Sequence, residues 1–141
     1  MFQIEGLHMR LLAGWVKVGI GVSLAASMMV AASAQPVDFC DSGDYTTVDL
    51  VSCTSRNLHY EDSKLNMSYK SLMKLLENKE KNQLKQAQLA WIKFKESSCK
   101  FSARHFQGGS MYAVEFNSCT TNYTYDRRLE LDNEVKYILN Q

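Results

Sequence analysis

Residues 46–76 read TTVDLVSCTSRNLHYEDSKLNMSYKSLMKLL, and this stretch decides the fold class. Val51, Leu58, Leu65 and Leu72 recur at intervals of seven, with Tyr69 and Leu76 on the neighbouring row. That is one apolar stripe along a long helix, with no alternation of the kind a strand shows. Thr46-Thr47-Val48-Asp49 supplies its start, because a Thr with an acid three residues later caps the free amides of a first turn. Asp62 breaks the pattern: it falls between Leu58 and Leu65, where an apolar side chain is expected. A carboxylate at such a position needs a partner. Arg127, which interrupts the third stripe described below in the same way, is the expected one, with Arg56 as the nearer alternative. The pair reads as a structural ion pair rather than as a general acid or base, since no second carboxylate or histidine is placed beside it by the sequence.

Towards the C-terminus, Glu77–Lys81 is polar and turn-like, and a second periodic stretch follows in Leu84, Ala87, Trp91, Phe94, Ser98 and Phe101. A connection of so few residues makes the two helices antiparallel neighbours. The second helix is expected to end near His105, because Gly108-Gly109 favours a turn. Ser110 is then placed to cap a third helix with the stripe Ala113, Phe116, Thr120, Tyr123, Arg127, Leu131, Val135 and Ile138. The expected fold is therefore all-α: a small disulfide-braced three-helix bundle with an extended N-terminal lead-in. Residues 35–45 form that lead-in, with the single proline, a glycine and three aspartates around Cys40.

Towards the N-terminus, residues 1–34 read as a secretory signal peptide whose true start is expected at Met9. Arg10 gives a positive n-region, Leu11–Ala31 an apolar stretch broken by Lys17, and Ala32-Ser33-Ala34 a small-x-small site for cutting before Gln35. A retained anchor is the rival reading, but the run ends on small residues with no basic stop-transfer cluster after it. No cysteine stands at the cut, so no membrane anchor is expected after cleavage, and residues 35–141 form a single domain in the periplasm or outside the cell. Removing Arg10 and Lys17 from the 16 basic residues and Glu5 from the 15 acidic ones leaves 14 of each. A neutral domain argues against nucleic acid as the main partner. The charge is segregated: six acids and one base lie from Asp38 to Asp62, ten bases and three acids from Lys64 to Arg104. Solvated helix faces explain this as readily as a steering patch does.

All four cysteines, Cys40, Cys53, Cys99 and Cys119, lie beyond the leader, and an even number in an oxidising compartment reads as two disulfides. Local pairing is favoured, Cys40 with Cys53 and Cys99 with Cys119, while crossed pairings such as Cys53 with Cys99 stay open. No two cysteines have the spacing of a zinc knuckle, and His59 and His105 have no ligand spacing, so neither metal nor cofactor is expected. No nucleophile elbow or phosphate loop is present. Trp91, Phe94 and Phe101 read as core. Tyr112 differs, since with Phe106 and Met111 it flanks the glycine turn; a tip that presents it to a partner and a tip that folds it back are both open.

Taken together these residues resemble the family of exported bacterial domains named after the lysozyme inhibitor LprI. The likeness rests on Cys53, Asp62-Ser63-Lys64-Leu65-Asn66 with Tyr69, and Leu72-Met73. It continues through Ala87-Gln88-Leu89-Ala90-Trp91-Ile92, Phe94 and Cys99, then Gly108-Gly109-Ser110, and finally Cys119, Thr124, Arg127 and Leu131. One departure is Lys95, where the usual pattern has an arginine after the aromatic that follows the tryptophan. The resemblance implies a helical, disulfide-containing envelope protein that is not an enzyme, with lysozyme inhibition the activity of the namesake. An inhibitor that occludes an enzyme's cleft needs a rigid surface, an anchor and complementary charge. The candidates are Asp38, Asp41, Asp44 and Asp49 for steering, and Gly108, Gly109, Ser110, Met111 and Tyr112 for insertion. The alternative is an envelope interaction module for a protein partner that is not a muramidase.

Overall fold

The computed structural model describes residues 35–40, 43 and 45–141; the expected leader, its cleavage site up to Ala34, and Asp41 and Asp44 lie outside them. Among the described residues there are three long α-helices and no strand: α1 (Thr47–Leu75), α2 (Asn78–Ser102) and α3 (Met111–Leu139), with a 3-10 turn (Ala103–Phe106) between the last two. The all-α, disulfide-braced three-helix reading holds.

Each helix boundary has a local cause. Thr46 is the N-cap of α1: its hydroxyl accepts from the Asp49 N–H at 3.3 Å, and the Asp49 carboxylate accepts from the Thr46 N–H at 3.0 Å. Leu76 turns extended, with φ −88° and ψ 155°, and ends α1. The polar segment expected to be a turn instead restarts the helix at Asn78, because the Glu80 carboxylate accepts from the Glu77 N–H at 3.0 Å and satisfies an amide that the new helix leaves free. The short link redirects the chain, but α2 then packs chiefly against α3, which also forms the main interface with α1. So α1 and α2 are not the close antiparallel neighbours that so short a connection predicts. At the other end the chain tightens into the 3-10 turn and reverses at Gly108, whose φ of 80° suits glycine. Ser110 precedes α3 without a side-chain capping bond.

Packing divides the interface into two halves of different chemistry. Near the α1–α2 link, Leu65, Leu72 and Leu131 form the buried apolar cluster, with Tyr69, Leu76, Leu84, Trp91, Val135 and Ile138 half-buried around it. At the opposite end the buried polar side chains are Thr54, Asn57, Thr120, Thr121 and Thr124, beside the buried Cys53, Cys99 and Ala103. Their hydroxyls donate to carbonyls one turn back on their own helix, Thr124 to Thr120 at 2.7 Å and Thr54 to Leu50 at 2.7 Å, so they are buried without loss of a bond. Hydroxyls contribute little hydrophobic stabilisation, and both disulfides lie in this half. Cys40 joins Cys53, tying the lead-in to α1, and Cys99 joins Cys119, tying α2 to α3. In the chain-entropy model loops of this size contribute on the order of 3 kcal/mol each, which offsets the thin apolar core.

The α2 stripe read from the sequence splits in space. Leu84, Trp91 and Ser98 face inward with Gln88, Lys95 and the fully buried Cys99, whereas Ala87, Phe94 and Phe101 are exposed. Phe94 meets the edge of Tyr123 at 5.6 Å, and Arg104 covers the Phe101 ring at 3.9 Å. These two phenylalanines, expected in the core, serve as lids over neighbouring side chains. Ala87, Phe94 and Phe101 each follow an inward residue by three positions, about 60° round the helix, on the flank turned away from Gln88, Lys95 and Cys99.

Candidate functional site

The carboxylate buried between α1 and α3 is Glu61, one residue before the one singled out by the sequence pattern. Glu61 has no solvent exposure, and its Oε2 accepts from Arg128 Nε at 3.0 Å. Arg128 also reaches Asp132 at 3.4 Å and lies over the Tyr125 ring at 4.7 Å, while Asp132 accepts from the Ser68 hydroxyl at 2.5 Å. Burial disfavours the charge on Arg128, but the hydrogen bond and charge of Glu61, with Asp132, more than offset it and raise its pKa above the ordinary guanidinium value. The other Glu61 oxygen, Oε1, is buried with no hydrogen-bond partner.

The expected pair of Asp62 with Arg127 is replaced by two separate contacts. Asp62 sits 3.7 Å from Lys95 with its side chain 44% exposed. Arg127 donates to Gln88 Oε1 at 3.1 Å and to Glu130 at 2.7 Å. Arg56 is exposed. The error has a geometric source. A strict seven-residue repeat has a period of 3.5, and a straight helix drifts about 20° per heptad away from it. The buried line on α1 runs instead through Thr54, Asn57, Glu61, Leu65, Ser68 and Leu72, at alternating steps that average a true helical turn. Those steps were the available signal for Glu61, and they were obscured because the polar residues among them do not look like core.

Lys95 is the centre of a second polar cluster, between α2 and α3. Its ammonium donates to Thr124 Oγ1 at 3.0 Å, faces Asp62, and lies 4.7 Å from the Trp91 ring centroid. With its side chain only 14% exposed, the lysine packs its stem in the interface and satisfies its charge on three sides. His59 and His105 are exposed, and no group of three or more His, Cys, Asp or Glu among the described residues is arranged to hold a metal.

Of the residues expected to meet a partner, several are committed to the fold. Asp38 accepts from the Cys40 N–H and from Asn57 Nδ2, both at 2.8 Å, and Asn57 Oδ1 in turn accepts from the Phe39 N–H at 2.7 Å. This network and the nearby disulfide pin the lead-in onto α1. Asp49 is held in the cap of α1, where its hydrogen bonds to Thr46 lower its pKa below the usual carboxylate value. Tyr112 is half-buried and stacks on Phe116, with centroids 6.1 Å apart and planes 8° from parallel, so it does not project from the loop. Met111 is half-buried as well, and Gly108, Gly109 and Ser110 are exposed.

What the fold brings together is the glycine loop and the start of α1. Thr47, Val48, Val51 and Ser52 of α1 and Ser110 of the loop line a shallow depression of about 340 Å³. Val48, at its edge, is 77% exposed, more than any other large apolar side chain among the described residues. The sequence reading placed both segments near a partner but did not see that they form one surface, since some 60 residues separate them along the chain.

Fold and site together define a small all-α domain braced by two disulfides, in which Glu61, Lys95 and Arg128 join its helices. The family model described as lysozyme inhibitor LprI matches residues 40–131, and the chain belongs to that family. The match spans all four cysteines, α1, α2 and most of α3. A similar curated protein is an uncharacterized protein of Rhizobium meliloti (strain 1021), 25% identical over 114 residues that cover 72% of this chain and 81% of the relative. No solved structure matches the chain.

Proposed function

We propose that the chain is exported with residues 1–34 removed, and that the braced domain acts in the periplasm or outside the cell by binding a protein, a lysozyme-type muramidase, and occluding its cleft. The observation that carries this reading is the family match over residues 40–131. The physical support is threefold. Two disulfides and a nearly continuous helical frame hold the surface in one conformation, so little ordering entropy is lost on binding. Val48, projecting beside the depression shared with Ser110, offers a partner apolar surface that the fold itself leaves uncovered. Occlusion requires no covalent chemistry, and Glu61, Lys95 and Arg128 are engaged in helix-to-helix bonds rather than presented to a substrate.

The test uses the full chain produced in an exporting host, with the exported form purified and added in molar excess to lysozymes of several classes acting on cell walls. Lysis of at least one class slows in proportion to added protein. Undiminished lysis by every class overturns the inhibitor reading and leaves an interaction module for another envelope protein, which capture of a non-muramidase partner from periplasm identifies.

A further inference from the structure

The charge segregation seen in the sequence stays uncompensated in the fold. From Lys64 to Arg104 the chain carries ten bases and three acids. All three acids are engaged: Glu77 and Glu80 close the cap of α2, and Glu96 pairs with Lys100 at 2.6 Å. Lys95 turns inward to Asp62. The remaining lysines late in α1 and along α2, namely Lys70, Lys74, Lys79, Lys81, Lys85 and Lys93, have no ion-pair partner among the described residues. All but the half-buried Lys81 are exposed.

Apolar side chains stand among these lysines. Because α2 packs chiefly against α3, one of its flanks is left uncovered, and on it Leu89 and Ile92 are 47% and 43% exposed. At 100° per residue, Lys85, Leu89, Ile92, Lys93, Glu96 and Lys100 fall within an arc of about 100° and run for about 22 Å along the helix. Phe94 belongs to a different surface. It lies about 160° round from Ile92, where it meets Tyr123 of α3.

We propose that this flank of α2 is a docking surface for an anionic lipid bilayer. The proposal uses other residues than the Val48 depression and goes beyond the muramidase reading. The contact is peripheral, since no helix among the described residues is long and apolar enough to cross a membrane. Leu89 and Ile92 enter the boundary between headgroups and acyl chains, while the lysine stems lie along it and their ammonium groups reach the lipid phosphates. Charge complementarity selects an anionic surface, and the two aliphatic side chains select one with an apolar interior. A hydrated polyanion would use the lysines and leave Leu89 and Ile92 in water. The flank of a helix is also convex, which a fluid bilayer accommodates and a rigid partner must match with a groove.

The experiment is co-sedimentation of the full chain, produced in an exporting host, with two kinds of vesicle at low ionic strength: phosphatidylglycerol mixed equally with phosphatidylcholine, and phosphatidylcholine alone. Binding is expected to the first, to fall as salt is raised, and to be slight for the second. An apolar leader still present would bind both alike, so the difference between the two vesicles reads the lysine flank whether or not export has removed it. The variant Lys85→Gln with Lys93→Gln is expected to bind the anionic vesicle about 25-fold less, at about fivefold per lysine. Leu89→Ser with Ile92→Ser, which leaves the charge unchanged, is expected to bind it about tenfold less or weaker still. Thermal unfolding of both variants confirms that the fold is retained. Equal binding to the two vesicles, binding to neither, or parental binding by the lysine variant overturns the proposal. Loss with the lysine pair but not with the Leu89 and Ile92 pair assigns the flank to a hydrated polyanion and also overturns it.

Discussion

Replacing Arg128 with methionine isolates the interaction that the structure makes most consequential. Glu61 has no solvent exposure, one of its oxygens depends on Arg128 Nε at 3.0 Å, and the other has no partner. Taking away the guanidinium therefore leaves a buried carboxylate with neither a countercharge nor water. Removal of one member of such a pair costs about 3–5 kcal/mol, against the roughly 0–1 kcal/mol of an exposed pair. For a domain near 100 residues that corresponds to a fall in Tm of about 15–25 °C at pH 7. The complementary change, Glu61→Gln, is milder, because Arg128 retains Asp132 and some access to solvent. The double variant Glu61→Leu with Arg128→Met removes both charges and fills the space with apolar volume. It should melt within a few degrees of the parent, since well-packed apolar side chains commonly replace buried pairs without loss. Thermal unfolding followed by circular dichroism, arranged as a double-mutant cycle, measures the coupling directly. An Arg128→Met variant that costs less than about 1 kcal/mol, or a double variant no better than it, would refute the reasoning.

Further outcomes follow from other parts of the structure. Changing Val48 to Asp leaves Tm nearly unchanged, because the side chain is 77% exposed, but weakens lysozyme inhibition at least about tenfold if the anchor lies there; titration of inhibitor against lysis rate reads it. Replacing both Cys99 and Cys119 with serine lowers stability by about 3 kcal/mol in urea unfolding, in line with a closed loop of this length. Lys95→Met removes the cation above Trp91 and leaves Asp62 and Thr124 without that donor, so it shifts indole emission in the exported form, where Trp91 is the single tryptophan, and lowers Tm. The Thr46 cap gives a pH signature. Because Asp49 has a lowered pKa in the folded state, its contribution is present above the unfolded value near 3.8 and is lost as pH falls through the folded one. Thr46→Ala is therefore more destabilising at pH 7 than at pH 2, and equal penalties at both would contradict this.

Much of the fold was legible residue by residue. The spacing of Leu65, Leu72 and Leu131, the Thr46–Asp49 box and the glycine turn at Gly108 are local signals, and each acts in the structure as a local rule says it should. The cysteine bridges are the two short loops that the local-pairing argument favoured. The site was less legible. Asp62 and Arg127 are each one residue away from the pair that the interface buries, and Phe94 and Phe101 read as core yet lie outside. A one-residue shift turns a side chain by about 100° around its helix, so a pattern that locates the helix correctly still misassigns its faces.

What the sequence by itself determined is the set of three helices and the start of the first, because periodicity, the Thr46 cap and the glycine turn act over a few neighbours. Only the tertiary structure decided which carboxylate is buried, that Lys95 sits among Asp62, Trp91 and Thr124, and that Val48 and Ser110 share one surface. Those outcomes depend on how far each helix is rotated when it packs. Rotation is set by the summed contacts of all three helices and the two disulfides, and no single stretch of sequence contains it.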